Sequence, residues 1–239
     1  KLIAASFWLL VWIIAYQRVG KPLLIASPAQ TLTALAQIVA APASWRAIGW
    51  SLVRMLSAFV IGVVGGCAFA ALTSSIDWAD TLLRPALTAL RATPVASFII
   101  LALVWMSSGT VPVFAASIMA MPIVWANVTQ GIASVNRELL EVAYVYEFGK
   151  LRTIWNIILP SISGTFIAAC GTSIGLCWKA MIAAEVLGTP SGAIGTQLYN
   201  SKIYLETDAL FAWTLVVILL SNLLERAFAI LSARLGKNR

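Results

Sequence analysis

The stretch EVAYVYEFGKLRTIWNIILP, residues 141–160, is the one long amphipathic, charged segment in a chain that is otherwise a series of hydrophobic runs. Uncharged runs cover residues 2–17, 55–76, 92–136, 153–178, 186–201 and 209–224. A helix needs roughly 20 apolar residues to cross about 30 Å of hydrocarbon, and a snorkelling end residue extends a shorter run. The third run is long enough for two crossings. A charged segment held at the membrane surface by spans on both sides is placed to meet a soluble partner and pass its movements into the lipid-embedded part.

The 239 residues are 61% hydrophobic and 10% charged, with a mean hydropathy of +0.92. These values lie outside the range of a soluble domain and define a polytopic membrane protein. The expected fold is all-α, with six transmembrane helices in one domain over residues 1–239 and the surface segment, 137–160, between the fourth and fifth.

The formal net charge is +7, but the basic residues are spread singly instead of forming a stripe, which argues against a nucleic-acid partner. Topology accounts for them better. With the N-terminus inside, the inner side holds ten cations, Lys1, Arg84, Arg91, Arg137, Lys150, Arg152, Arg226, Arg234, Lys237 and Arg239. The outer side holds five, Arg18, Lys21, Arg46, Arg54 and Lys202, and Lys179 is left within a span. This is the direction of the positive-inside rule and places both termini in the cytoplasm.

Histidine is absent, and Cys67, Cys170 and Cys177 all fall inside expected spans. That excludes a histidine-bearing zinc site, a Ser-His-Asp or Cys-His catalytic arrangement and a disulfide framework, so no covalent chemistry is expected of this chain. The cysteines read as small apolar packing residues.

In chain order, residues 2–17 read as a first span in preference to a cleaved leader. Residues 19–50 carry Pro22, Pro28 and Pro42 around the apolar-periodic TLTALAQIVA, which suits a short amphipathic helix on the outer face or a plain loop. A second span follows at 51–74, where Gly62, Gly65 and Gly66 permit close approach of another helix. The third, 95–106, is short unless residues 82–94 contribute helix across Pro94, with a kink. The fourth, 111–133, contains Pro112 and Pro122, either bending around a pathway or simply tolerated in lipid. The last span covers 209–231, after an outer loop at 188–208 with a short helix.

Within the surface segment, Leu139, Val142, Ala143 and Tyr146 share a helical face, with Glu141 and Glu147 elsewhere. Gly149 can end that helix. A second short helix carries Leu151, Ile154, Ile157 and Ile158, and Pro160 sits where a new helix begins, needing no backbone N–H.

This pattern resembles the EAA loop of the inner-membrane permease subunits of ATP-binding cassette importers, which runs Glu-Ala-Ala, then Gly, and ends Leu-Pro. Here Glu141 and Ala143 supply the start and Leu159-Pro160 the end, at the family's separation. Glu147 stands where the family usually has Gly, and Gly149 lies two residues later, which implies a shifted turn. GLCWKAMIAAEVLG at 175–188, GAIGTQLYNSKIYL at 192–205 and LFAWTLVVILLSNLLERAF at 210–228 are similar to permeases for nitrate, sulfonate, taurine and related small solutes. The resemblance implies a bacterial plasma-membrane protein that pairs with a second permease chain, identical or not. It also implies two cytoplasmic ATPase subunits that bind ATP and magnesium, and an extracytoplasmic solute-binding protein. The chain has no G-x-x-x-x-G-K-[ST] phosphate loop of its own. The rival reading is a secondary transporter or channel that needs no ATPase.

The fifth span, 161–187, carries Gly164, Ala168, Gly171 and Gly175 in a narrow stripe suited to close helix packing. Lys179 continues that stripe, and a lysine deep in a span normally faces protein, water or a counter-charge. Lys179 is expected to line the translocation pathway or its gate, where it would favour an anionic solute, with Glu185 near the outer mouth; a structural ion pair is the alternative for both. Glu185 lies about 120° round the helix from Lys179, so the two are poor partners.

Overall fold

The computed structural model describes residues 2–21 and 23–237, so that Lys1, Pro22 and Arg239 of the readings above lie outside the described residues. The helices are α1 (Leu2–Val19), α2 (Pro28–Ala40), α3 (Pro42–Ser75), α4 (Asp77–Ala92), α5 (Val95–Trp105), α6 (Val111–Ala133) and α7 (Arg137–Val145). They continue with α8 (Lys150–Thr153), a π turn (Ile154–Ile158), α9 (Leu159–Gly188), α10 (Ile194–Ile203) and α11 (Thr207–Lys237). Proline opens α2 and α3 and sits in the first two positions of α6, where the missing N–H has no helical partner to lose.

Four segments, Pro42–Ser75, Val111–Ala133, Lys150–Gly188 and Thr207–Arg234, are long and apolar enough to cross a membrane alone. A fifth crossing is the broken pair α4 and α5, whereas the apolar part of α1, Ser6–Val19, is shorter than a crossing needs. Length and composition thus give four spans, or five with the bent pair counted as one, and α1 is a shorter apolar helix beside them. Thr93 adopts extended geometry (φ −81°, ψ 133°), as the residue before a proline must, and α4 and α5 meet there at 106°. Pro94 thus makes a corner where the sequence suggests a kinked continuous span.

The second span also starts earlier than expected. Nothing after Pro42 breaks the helix, so Arg46 and Arg54 ride on α3 instead of sitting in an outer connection. The charge at Arg54 marked the end of the uncharged run, not the end of the helix. The loop alternative for residues 19–50 gives way to α2, whose Ser27 and Gln30 form a reciprocal capping box and whose Thr31, Ala34 and Ile38 are buried.

At the centre stands α6, with Ala115, Ala116, Ala120 and Val124 essentially inaccessible. It packs on α3 through glycine: a Cβ on Gly66 would lie 2.7 Å from the Met121 carbonyl oxygen, and one on Gly62 2.7 Å from Ala120 Cβ. Only hydrogen at those positions lets the backbones approach this closely. Trp178 of α9, buried, donates its indole N–H to the Val217 carbonyl of α11 at 3.2 Å. On the edge, α1 stacks Trp12 on Phe211 of α11, with 5.7 Å between ring centroids.

Candidate functional site

The surface segment folds as helix, turn, helix, but not with the turn the sequence suggests. Asn136 caps α7 by accepting the Glu138 backbone N–H at 3.0 Å, and the Glu138 carboxylate lies in the first turn, where the helix dipole favours it. The far end closes through two backbone bonds, from the Phe148 N–H to the Ala143 carbonyl at 2.8 Å and from the Glu147 N–H to the Tyr144 carbonyl at 3.1 Å. This Schellman closure needs a left-handed residue between them, and Glu147 supplies it at φ 52°. Gly149 does not end the helix; it has φ −63° and caps the start of α8. The turn is therefore unshifted, and Glu147 takes the conformation that glycine adopts most easily.

The expected face divides in two. Ala143 is 4% exposed, whereas Val142 and Leu139 are half exposed and Tyr146 is 71% exposed. Tyr146 leaves the apolar face because it is the capping residue, already off the helical track. Ala143 belongs to a core cluster with Ile157 and Ile162, with Leu87 of α4 and with Val124, Trp125 and Val128 of α6, with Phe148 packed alongside. Arg152 lies over the Phe148 ring at 4.3 Å from its centroid, tying the two arms of the segment together. The outer side presents Glu141, Tyr144, Val145, Tyr146, Leu151 and Trp155, all exposed. Uncovered large apolar side chains rimmed by charge mark an interaction surface.

Leu159 and Pro160 do not begin a separate helix. Residues Lys150–Gly188 form one continuous helix with a π turn at Ile154–Ile158, where the Leu159 N–H reaches back five residues to the Ile154 carbonyl. The wider turn makes room for the proline ring and for the bond that Pro160 cannot donate.

In the stripe on α9, Gly171 faces Phe228 and Gly175 faces Glu225, both on α11, but Gly164 has open space around it and Ala168 is exposed. The stripe thus packs only in its second half. Lys179 is exposed to an open cavity of about 590 Å³ with walls from α4, α5, α6 and α9, which it lines together with Arg91, Asn127 and Thr172. Pro122, midway along α6, also lines it. Arg91, counted above among the inner-surface cations, is brought here by the α4–α5 corner.

Glu185 is part of a buried hydrogen-bond cluster. It is wholly buried and accepts hydrogen bonds from Ser51 Oγ at 2.8 Å, Arg54 Nη1 at 3.1 Å and the Gly195 N–H at 3.1 Å. Ser51 Oγ also accepts the Ile194 N–H at 3.0 Å. The carboxylate therefore joins α9, α3 and the start of α10, and the ion-pair alternative describes it. A buried charge is tolerated when it is paired and hydrogen-bonded, as here. Ser51 and Arg54 escaped the sequence reading because they lie more than 130 positions away.

Residues 62–237 match the family described as binding-protein-dependent transport system inner membrane component. The chain is 26% identical over 190 residues to the aliphatic sulfonates transport permease protein SsuC of Bacillus subtilis (strain 168), covering 79% of this chain and 68% of that protein. It is 23% identical over 231 residues to the taurine transport system permease protein TauC of Escherichia coli (strain K12), covering 94% of this chain and 83% of that one. Among solved structures it is similar in fold to an amino acid ABC transporter, with TM-score 0.69, 18% identity and coverage of 86% and 98% of the two chains. The MetNI methionine ABC transporter in inward-facing form has TM-score 0.62 at 13% identity, covering 80% and 93%. The match over residues 62–237, most of the chain, makes this chain a member of the inner membrane component family of binding-protein-dependent transport systems.

Proposed function

We propose that this chain forms half of a pathway for a small polar or anionic solute across a bacterial inner membrane, and that residues 137–160 couple it to a separate ATPase. It pairs with a second permease chain, receives solute from an extracytoplasmic binding protein and is driven by two ATPase subunits that hold ATP and magnesium. Both termini and the coupling segment face the cytoplasm. The chain itself performs no hydrolysis.

One observation carries the reading. Ala143, Phe148 and Ile157 share a core with α4 and α6, while the opposite side of the segment leaves Glu141, Tyr144, Val145 and Tyr146 uncovered. A partner seated on that side would shift α7 as a unit, and α7 cannot move without Leu87 and Trp125. Packed interfaces switch between discrete arrangements and do not deform smoothly, so such a push is delivered to the helices around the cavity. The relatives named for sulfonates and taurine support a small charged solute.

The test is co-expression with the cognate Walker-motif ATPase and binding protein, followed by purification and proteoliposome uptake. A stable complex with ATP-dependent uptake is expected. Glu141→Lys should lower uptake at least tenfold while ATP hydrolysis continues. ATP-independent uptake by the isolated chain would establish the secondary-carrier reading instead.

A further inference from the structure

The glycine at position 175 does more than let two helices touch. A Cβ there would stand 2.8 Å from Glu225 Oε1 and 3.6 Å from the Glu225 carboxyl carbon. The Glu225 side chain of α11 thus reaches across to α9 and lays its carboxylate in the space that a side chain at 175 would fill. Gly175 lies about 20 Å short of the Gly188 end of its helix, so the carboxylate meets a membrane-crossing helix well inside its length. One of its oxygens accepts the Ser221 hydroxyl at 3.4 Å, and the ion pairs among the described residues, Arg54–Glu185 and Arg84–Asp80, do not include it.

Lys179 follows Gly175 by one helical turn on the same face of α9. Residues four apart on a helix have Cβ atoms about 6 Å from each other, which puts Glu225 Oε1 within about 9 Å of Lys179 Cβ. Long side chains on a helix run back toward its N-terminus, over the preceding turn. For Lys179 that turn is the one at Gly175, where no side chain stands in the way and the carboxylate already lies. The four-carbon lysine stem covers most of the gap. Both side chains are exposed, so neither is fixed by packing. In the structure Lys179 instead lines the cavity, whose lining residues include no Asp or Glu. Charges within spans pair with one another where they can, and Glu225 is the carboxylate within reach.

We propose that Glu225 is the positioning residue for Lys179: the two form an ion pair over Gly175 that draws the ammonium away from the cavity, and the structure shows that pair open. The charge on the cavity wall then follows the contact between α9 and α11. Contact at Gly175 offers the lysine a partner, and separation of the two helices returns it to the cavity. The pair forms or opens whatever drives the helices and whatever crosses between them.

The test uses the full chain in phosphatidylcholine nanodiscs, with Cys67, Cys170 and Cys177 replaced by alanine and Lys179→Cys as the sole thiol. The ratio of its reaction rates with aminoethyl and sulfonatoethyl methanethiosulfonate, one cationic and one anionic, reports the charge beside position 179. Glu225→Gln is expected to lower that ratio at least threefold, and Gly175→Ala, whose methyl takes the place of the carboxylate, to lower it similarly. Glu206→Gln, just before the opposite end of α11, should leave it unchanged, since salt screens exposed charges beyond about 10 Å. A ratio unmoved by either of the first two substitutions, a ratio lowered as much by Glu206→Gln, or a thiol that reacts with neither reagent overturns the proposal. Should the cysteine background fail to give monodisperse protein, charge reversal decides. Lys179→Glu and Glu225→Lys are each expected to cut the yield of monodisperse chain at least threefold and together to restore it, and losses that multiply in the double variant overturn the pair.

Discussion

Glu147 sits in the left-handed region at φ 52° because the α7 end requires that conformation, not because glutamate favours it. A non-glycine residue there costs about 1 kcal/mol relative to glycine. Glu147→Gly is therefore expected to raise the stability of the segment by roughly that amount, read as slower amide exchange at Phe148. Faster exchange would mean that the Glu147 side chain holds the turn by contacts of its own. The sequence pointed to Gly149 because glycine is the usual left-handed residue. It did not reveal which residue the two closing hydrogen bonds would enclose, since that depends on where Ala143 is pinned by the core. Glu185 shows the same limit: as an acid in a span it was legible as important, but its partners come from α3 and α10, and nothing in local spacing names them.

At the scale of elements, α7 has two sides with separable roles. Ala143 is buried against α4 and α6, so Ala143→Leu overpacks that seam and should destabilise it by about 1–3 kcal/mol. Glu141 is exposed, and Glu141→Lys should leave stability within about 0.5 kcal/mol. Thermal unfolding of the two purified variants distinguishes the sides, and equal losses would contradict the division. The element plan was largely readable in advance: α6, α7, α10 and the approach of α3 through Gly62 and Gly66 follow from proline positions, apolar period and small residues, while α2 stood open between helix and loop. The boundaries of α3 and the corner at Pro94 were not. Charge marks where a run ends more visibly than where a helix ends, and whether a proline kinks or turns a chain depends on what receives the freed segment.

Over the whole molecule, the cavity is lined by residues of α4, α5, α6 and α9, whereas α11 leaves Ile218, Leu219 and Leu223 exposed on its outer side. Cysteines introduced at Thr172 or Leu176, with the three native cysteines replaced by alanine, should react with a charged thiol reagent at least tenfold faster than one at Leu219. Equal rates would remove the cavity from the aqueous route. Lys179 was legible as an unusual intramembrane cation, but Arg91 was not, because linear topology assigns it to the inner surface and only the bend of the broken span carries it to the cavity.

The unbroken helix from Lys150 to Gly188 has a geometric consequence. Its 39 residues span about 58 Å, so a tilt of about 5° about the Lys150 end sweeps the Gly188 end through roughly 5 Å. Glu185 lies near that far tip, clipped to the first residues of α10. A small rotation at the Lys150 end is thus magnified at the Gly188 end, where the same stiff rod would drag the start of α10 with it.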